Sequence, residues 1–365
     1  LFTVENAAWV VVGLLAAGLR LFQLGMQPLN EGEAVQALAA FRFTQAGSPM
    51  AAPGTNPLLF AGNVVGFTLV GASDVTARWF PVVTGIFLAL LPYGLRHRLG
   101  RGGALAASLL LAISPSAVFF SRSLDAAIMV AACGLALVVA LINYIDTQRS
   151  GYLYGAAVAL GLGLGAGPNA FSLLLIMATF ALLLYLVDRL LGQEGGWASL
   201  LTAWEALRGV KGLLAQASLV LVATFALMAT ALALHPAGLG LSADLLGAWV
   251  QRFLPQPNSY PIFYSLLLAL RYELLILLLG LVEVAWVLVK RRGDPQLSTD
   301  PRSSFPFTAF LAFWVAAAAL ITLASGYRTA GNILLFTVPL TLLAGQGVER
   351  ALRWVTRRDL LARAC

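Results

Sequence analysis

The segment Leu29-Asn30-Glu31-Gly32-Glu33-Ala34 follows the first long apolar run of the chain, residues 7–24, and decides how the chain is arranged in a membrane. It places two carboxylates in a sequence that is 60% hydrophobic and only 11% charged. A soluble globular protein carries about 25% charged residues, so this composition indicates a protein that lies in lipid. Lipid admits helices or closed barrels, and long continuous apolar runs favour helices. The predicted class is an all-α integral membrane protein.

About 20 apolar residues cross the hydrocarbon core, and the sequence predicts about ten transmembrane helices. Their approximate bounds are 7–24, 78–95, 102–120, 124–145, 152–167, 169–187, 214–234, 262–289, 307–325 and 331–348. Excess Lys and Arg mark cytoplasmic loops. With ten spans, the basic clusters near residues 98, 149, 208, 291 and 353 all lie on one side. Both termini are then cytoplasmic, and the shorter apolar stretch 57–72 is a re-entrant or interfacial helix.

This topology treats residues 1–365 as a single transmembrane domain. The stretch 25–77 is the first external loop, 235–261 is a second external loop, and 188–213 and 290–306 are cytoplasmic loops. Segments 197–213 and 241–254 are expected to be amphipathic surface helices. Because the sequence begins with Leu1 rather than Met, further residues upstream are an expectation.

Several functional classes are disfavoured by the sequence. The net charge of +7 could suit nucleic acid, but its basic residues are scattered between apolar runs, so no nucleic-acid partner is predicted. Cys133 and Cys365 predict neither a disulfide framework nor a thiolate metal site. Zinc-protease, P-loop and nucleotide-binding motifs are missing from the sequence. No cofactor follows from these residues, and whether a divalent cation binds stays open.

Glu31 and Glu33 are the first candidate catalytic residues. Two acidic side chains at this position could cap and solvate the N-terminus of a surface helix, whose apolar stripe would be Ala34, Ala37, Leu38 and Phe41. They could also deprotonate an acceptor hydroxyl or bind a cation at the membrane face. The residues alone favour the capping interpretation, and the catalytic interpretation stays open.

Other polar residues are predicted on the same external side. Arg122 and Asp125 have the i, i+3 spacing of a helical salt bridge, but an arginine at a helix end is also a natural phosphate ligand. Glu273 is expected inside an apolar helix, where it needs a partner or a proton. His235 is expected to be a solvated loop residue. The remaining external polar residues are Asn56, Arg78, Asn169, Arg252, Tyr260, Tyr264, Tyr327 and Arg328.

The order and spacing of these motifs resemble those of a known superfamily. The matching pieces are Asn30 to Ala34, Asn56-Pro57-Leu58, Gly71-Ala72-Ser73 through Ala77-Arg78-Trp79-Phe80-Pro81, Ser114-Pro115, Ser121-Arg122 to Asp125, Pro261 through Tyr272-Glu273, and Gly326-Tyr327-Arg328. In this order and spacing the chain resembles the GT-C superfamily of polyprenyl-phosphate-sugar-dependent membrane glycosyltransferases. It is most similar to the dolichyl-phosphate-mannose-protein mannosyltransferase-like branch, which includes aminoarabinose transferases and flippase-associated proteins.

The resemblance implies a GT-C-type helix bundle that transfers a sugar from a polyprenyl phosphate to an acceptor hydroxyl on the external face. Glu31 or Glu33 would be the catalytic carboxylate, and Arg78, Arg122 and Arg328 would hold the leaving phosphate. Asp125, Tyr264 and Glu273 would complete the substrate-binding set. The expected partners are the polyprenyl-linked sugar and membrane lipid, with other membrane subunits left open.

The chain departs from the family pattern at one decisive position. Relatives carry Asp-Glu in the first external loop, and Gly32 stands where that Asp belongs. A shift of one residue to Glu31 turns the side chain by about 100° on a helix. A lysine that many relatives carry near Gly165–Asn169 is also missing. An inactive GT-C-like subunit that serves as a scaffold in a larger complex is therefore the main alternative, and a transporter or lipid flippase is the least favoured.

Overall fold

The computed structural model describes residues 3–45, 56–191, 196–236, 238–255, 260–291 and 305–364. Within these ranges the regular structure consists of helices. They are α1 Val4–Leu21, α2 Glu31–Thr44, α3 Pro57–Val70, α4 Asp74–Leu90, α5 Arg96–Leu99, α6 Arg101–Ile113, α7 Pro115–Ser121, α8 Ala127–Thr147, α9 Ser150–Ala166, α10 Asn169–Leu191, α11 Gly196–Gly209, α12 Leu213–Ala229, α13 Gly238–Gln251, α14 Tyr264–Tyr272, α15 Leu274–Arg291, α16 Phe307–Ala324 and α17 Ile333–Ala364. Two short 3-10 segments, Leu91–Leu95 and Ala330–Asn332, adjoin α4 and α17.

The predicted all-α membrane class is confirmed. Six helical stretches of the described chain are long and apolar enough to cross a membrane: α1, α4 continued to Leu99, α8, α10, α16 and α17 with the turn before it. Three bent pairs, α6–α7, α11–α12 and α14–α15, bring the number to nine. The remaining predicted span, 152–167, corresponds to α9, which has 17 residues and is not among these nine. The total of about ten transmembrane helices stays a prediction.

Two predicted continuous spans are broken in the structure. The span at 102–120 bends by 57° where α6 ends and α7 begins at Pro115, which has no N–H to continue the helical ladder. The span at 262–289 bends by 102° at Glu273, so the expectation of Glu273 inside a continuous helix is wrong. The buried Glu273 carboxylate accepts hydrogen bonds from the Ser114 hydroxyl (2.6 Å) and the Ser116 N–H (2.8 Å). Both partners lie on the other broken span, and hydrophobic periodicity cannot reveal such a contact between two helices.

Charged residues gather at two ends of the bundle. At one end Asp146, in the last turn of α8, binds Arg98 and His97. There too, Arg101 at the start of α6 contacts Glu5 at the start of α1 (3.5 Å). The polar residues predicted to be external collect at the other end, around the loop that precedes α8. This segregation is what the charge-based topology requires, and which end faces the cytoplasm stays a prediction.

The first loop region packs against α4 through α2 and α3. Helix α2 buries Glu33, Ala37 and Ala40, so its inward face is rotated from the predicted apolar stripe, in which Ala34 and Leu38 are exposed. The reason is that Glu33 turns inward to meet a buried cation. Helix α3, the predicted re-entrant or interfacial helix, is only 14 residues long and buries ten of them.

Helices α6 and α17 approach closely at Gly103 and Gly345. A methyl group on Gly345 would lie 2.5 Å from the Gly103 carbonyl oxygen, and backbone atoms cannot move aside as a flexible side chain can. We expect Gly345→Ala to lower the free energy of unfolding by about 1–3 kcal/mol, as overpacking does in other cores. Thermal unfolding in detergent measures this. Gly18→Ala is the matched control, because a methyl group there meets nothing within 4 Å; equal melting temperatures for the two variants would contradict close packing at Gly345.

Candidate functional site

A polar cavity lies at the end of the bundle opposite Asp146. Its volume is about 400 Å³. Residues from α2, the loop before α8, the start of α10, α13 and the segment before α17 surround it. They are Gln36, Asn56, Asp125, Ala126, Ala127, Val130, Gly167, Pro168, Asn169, Ala248, Gln251, Arg252, Tyr327, Thr329 and Gly331. This lining combines a carboxylate, a guanidinium, several amides and a phenol, which suits a polar ligand carrying a negative charge.

Asp125 is the carboxylate of this lining and lies in the loop between α7 and α8. One of its oxygens accepts a hydrogen bond from the Ala127 N–H (2.7 Å), which anchors the side chain at the start of α8. Burial raises the pKa of the Asp125 carboxyl, and the nearby Glu33 charge raises it further, whereas Ala127 and Arg252 oppose the shift. The side chain is therefore a stronger base than an ordinary aspartate.

Arg252, just past the end of α13, is the guanidinium of the lining. Its Nη2 donates to the Asn332 amide oxygen (2.9 Å), and its Nη1 donates to the Asn169 amide oxygen. Its backbone carbonyl accepts from the N–H groups of Gly326 (2.7 Å) and Tyr327 (3.0 Å), which ties the segment after α16 to the end of α13. Hydrogen bonds thus hold both the side chain and the backbone of Arg252 in place.

Arg252, Asn169 and Asn332 form a group that was not among the predicted site residues. Arg252 and Asn169 stood in the external polar set, where their positions at helix ends were the available signal. Asn169 and Asn332 lie 83 and 80 positions away from Arg252 in the sequence, and nothing in this spacing indicated that both would bind its guanidinium. The group depends on contacts between distant helices.

The carboxylate of Glu33 is occupied by hydrogen bonds within the fold. With Asn30 it forms a capping box at the start of α2, in which each side chain accepts from the other residue's N–H (3.0 Å). Its two oxygens also accept from Arg78 (3.1 and 2.7 Å) and from the Leu124 N–H (2.8 Å). Burial by itself would raise the pKa of Glu33, but the hydrogen bonds from Arg78, Asn30 and Leu124 outweigh it and lower the pKa. A carboxylate so occupied is ill placed to accept a proton.

Glu31 and Gly32 are both exposed at the start of α2. Gly32 lies one helical turn before Gln36, which lines the cavity, so both occupy the same face of α2. Among the described residues, a Cβ atom at position 32 would contact the Asn30 amide oxygen at 3.5 Å, an ordinary van der Waals distance. A side chain at position 31 is rotated by about 100° from one at position 32 on the helix.

Arg122 and Arg328 are not directed into the cavity. Arg122 donates to the backbone oxygens of Leu19 (2.9 Å) and Phe22 (2.7 Å), where it neutralises the C-terminal end of α1. Arg328 donates to the Tyr260 carbonyl (2.8 Å). Their predicted role as phosphate ligands gains no support from this placement.

The other predicted residues fall into two groups. Arg78 and Glu33 lie together, and through Leu124 they adjoin Asp125, the predicted substrate-binding residue that does line the cavity. Tyr264 and Glu273 do not line it: Tyr264 stacks on Tyr260 with ring centroids 4.1 Å apart, and Glu273 caps α7.

His235 was expected to be solvated, and it is instead only 9% exposed. Its ring faces Phe43, with centroids 6.4 Å apart. The correction has a simple reason, since α2 folds back over the loop that holds this histidine.

The donor groups suit a divalent cation poorly. Within the described ranges, no three His, Cys, Asp or Glu side chains come together. Asp125 shares the cavity with a guanidinium, and hard divalent cations prefer sites built from several oxygen ligands.

Comparison with known proteins agrees with this architecture. The family described as "Dolichyl-phosphate-mannose-protein mannosyltransferase" matches residues 56–203. A search of curated proteins gives no significant match. The archaeal oligosaccharyltransferase AglB from Archaeoglobus fulgidus, solved with an inhibitory peptide and a dolichol-phosphate, superimposes with a TM-score of 0.65 at 14% identity. That match covers 99% of this chain and 52% of AglB.

ArnT from Cupriavidus metallidurans gives a similar result. Its complex with undecaprenyl phosphate has a TM-score of 0.65 at 16% identity and covers 95% of this chain and 59% of ArnT. Its apo state has a TM-score of 0.63 at 17% identity, covering 94% and 60%. The chain thus spans about half to three fifths of the length of these proteins. The fold that this chain shares with AglB and ArnT is a multi-helix membrane bundle, as the sequence pattern predicted.

Proposed function

We propose that this protein is a membrane glycosyltransferase that moves a sugar from a polyprenyl phosphate to an acceptor hydroxyl, with the 400 Å³ cavity as the donor site. The observation that carries the proposal is that Asp125 and Arg252 line one cavity together. The fold supports it, because AglB and ArnT share this architecture and were solved with dolichol-phosphate and undecaprenyl phosphate. We place the cavity on the external face, because the basic clusters lie at the opposite end.

Arg252 is the proposed phosphate ligand. A guanidinium presents five N–H groups in a planar fork that matches phosphate oxygens, and it stays charged at physiological pH. The bonds to Asn169 and Asn332 hold the fork in place before a ligand arrives, so little ordering is needed at the moment of binding. As the bond between sugar and phosphate breaks, this fixed cation stabilises the charge that develops on the leaving phosphate.

Asp125 is the proposed base for the acceptor hydroxyl. Its raised pKa brings the carboxylate closer to the basicity that proton transfer near neutral pH requires. Glu33 and Arg78 contribute by position, because Glu33 accepts from the N–H of Leu124 and fixes the loop that carries Asp125. Glu31 remains the alternative base: it is exposed, and it makes no hydrogen bond or ion pair within the described chain.

A second candidate function is an inactive GT-C-like subunit that serves as a scaffold. The observation that favours it is Gly32, which leaves the cavity face of α2 without a carboxylate. Other membrane subunits would then supply the chemistry.

Sugar transfer by the purified full chain in lipid nanodiscs separates the two functions. We expect turnover with at least one member of a panel of polyprenyl-phosphate sugars. If no donor gives turnover while polyprenyl phosphate still binds, the scaffold function replaces the transferase. Loss of turnover in Glu31→Gln but not in Asp125→Asn would transfer the role of base to Glu31.

Arg252→Gln tests the phosphate site without relying on turnover. A hydrogen bond to a charged group contributes about 1.5–3 kcal/mol, so we expect the affinity for undecaprenyl phosphate to fall about tenfold or more. Titration calorimetry with undecaprenyl phosphate and with uncharged undecaprenol measures the effect. The wild type should prefer the phosphate and the variant should not.

Arg42→Gln is the matched control, because it removes the same charge from an exposed position on α2. It should keep the wild-type preference for the phosphate. An Arg252→Gln variant that binds undecaprenyl phosphate as tightly as the wild type would contradict the assignment of Arg252.

A further inference from the structure

A second cavity lies at the opposite end of the bundle, between α8, α10, α11 and α16. Its volume is about 270 Å³. Large apolar side chains line it, among them Met177, Phe180, Leu200 and Phe310. Tyr144 also lines it, but its hydroxyl donates to the Ala203 carbonyl (3.3 Å) and is not available to a ligand. No charged side chain is among the described residues of the lining, so the interior suits hydrocarbon.

Helix α11 forms one wall of this cavity. It is bent by 95° from α12 and buries Ser199, Ala203 and Leu207 on its inner face, as expected of the surface helix predicted at 197–213. Trp204 lines the cavity yet is 43% exposed, and the guanidinium of Arg208 lies 4.7 Å from its ring centroid. Tryptophan and arginine combined in this way are typical of the boundary between hydrocarbon and headgroups.

The rim of this cavity is basic. Arg208 and Lys211 are exposed near the end of α11, and Arg149 is exposed one helical turn before Leu153, which lines the cavity. Of the acids near this end, Asp146 is paired with Arg98 and His97, Glu205 is exposed on α11, and Asp188 is half-buried on α10. The three exposed basic residues outnumber Glu205 and Asp188, so the rim favours an anionic group above the apolar interior.

We propose that this cavity holds one acyl chain of an anionic glycerophospholipid, whose phosphate lies beside Arg208 and Trp204 at the rim. Anionic lipids of the cytoplasmic leaflet attract basic protein segments that lie close to the membrane surface. The proposal is independent of the transferase function, because the first α8 residue that lines this cavity, Val138, lies 13 residues beyond Asp125, about 20 Å along the helix.

The test uses the purified, delipidated full chain, with phosphatidylglycerol compared with phosphatidylcholine of identical acyl chains. Native mass spectrometry and thermal unfolding should show preferential binding and stabilisation by phosphatidylglycerol. Ala181→Phe places a ring in the cavity, and if it displaces about two CH₂ groups of the chain, affinity should fall about tenfold. Leu182→Phe is the matched control, because Leu182 is 55% exposed on the outer face of α10.

Arg208→Gln separates the headgroup from the chain. It should remove the preference for phosphatidylglycerol over phosphatidylcholine, whereas Arg42→Gln at the other end should keep it. Equal binding of the two lipids by the wild type, or an unchanged preference in Arg208→Gln, would overturn the proposal.

A second measurement keeps the proposal testable if Ala181→Phe fails to fold. Phosphatidylglycerol with a photoreactive group on its acyl chain should crosslink to α8, α10, α11 or α16 in the wild-type protein. Crosslinks found only on other helices would place the lipid elsewhere and refute the site.

Discussion

Asp125→Asn is expected to lower the rate of sugar transfer by about 10²–10⁴-fold, the usual contribution of a positioned general base. Asparagine keeps the shape of the side chain and can still accept from the Ala127 N–H, so the loop and the cavity should persist. Binding of undecaprenyl phosphate should therefore change far less than turnover. Transfer assays and calorimetry on the same preparations measure both quantities.

The pH dependence of transfer adds an independent readout. A base must be deprotonated to act, and the pKa of Asp125 is raised by burial, so activity should rise with pH through a range above that of an ordinary aspartate. The Arg252 charge lowers this pKa, so Arg252→Gln should move the rising limb to higher pH. Glu205→Gln, an exposed carboxylate on α11, is the control and should leave the profile unchanged. A profile that rises in the ordinary carboxylate range would exclude Asp125 as the base.

Glu33→Gln is expected to cause the largest loss of stability, about 3–5 kcal/mol, the usual cost of breaking a buried ion pair from one side. The variant leaves the Arg78 guanidinium, 5% exposed, without a counter-charge. Glu31→Gln, two residues away and exposed, should change stability by no more than about 0.5 kcal/mol. Equilibrium unfolding in mixed micelles compares the two. Equal effects would contradict the structural role assigned to Glu33.

Two further measurements sharpen this prediction. The double variant Glu33→Gln/Arg78→Met should be less destabilised than Glu33→Gln alone, because no buried cation remains. The pKa of Glu33 is lowered in the folded state, so its contribution is complete above the unfolded pKa and is lost as the pH falls through the lowered folded value. The wild type should lose stability on acidification through this range, whereas Glu33→Gln should lose less.

The fold could be predicted largely from the sequence, because apolar runs and basic loops report directly on lipid. The break at Glu273 could not, since its partners Ser114 and Ser116 lie on a different helix. The break at Ser114 had a local signal in Pro115, but 102–120 was predicted as one continuous span. Glu31, Gly32 and Glu33 show the same limit at the site. The sequence identified the acidic loop and the missing aspartate. It did not reveal the contacts of Glu33 with Arg78 and Leu124, which lie 45 and 91 residues away and occupy its carboxylate.

The placement of Arg252 in the cavity could not be predicted from local sequence patterns either. Its partners Asn169 and Asn332 begin α10 and precede α17, and such a meeting of helix ends follows from the packing of the whole bundle. An external arginine was recognisable from topology, but its direction into the cavity was not.

The Glu273 carboxylate joins the two broken spans at their bends. Helix α7, whose first turn it holds, continues directly into the loop that carries Asp125. The two bends are therefore not independent, because one buried carboxylate holds both of them. The seven residues of α7 connect this carboxylate to the loop that carries Asp125.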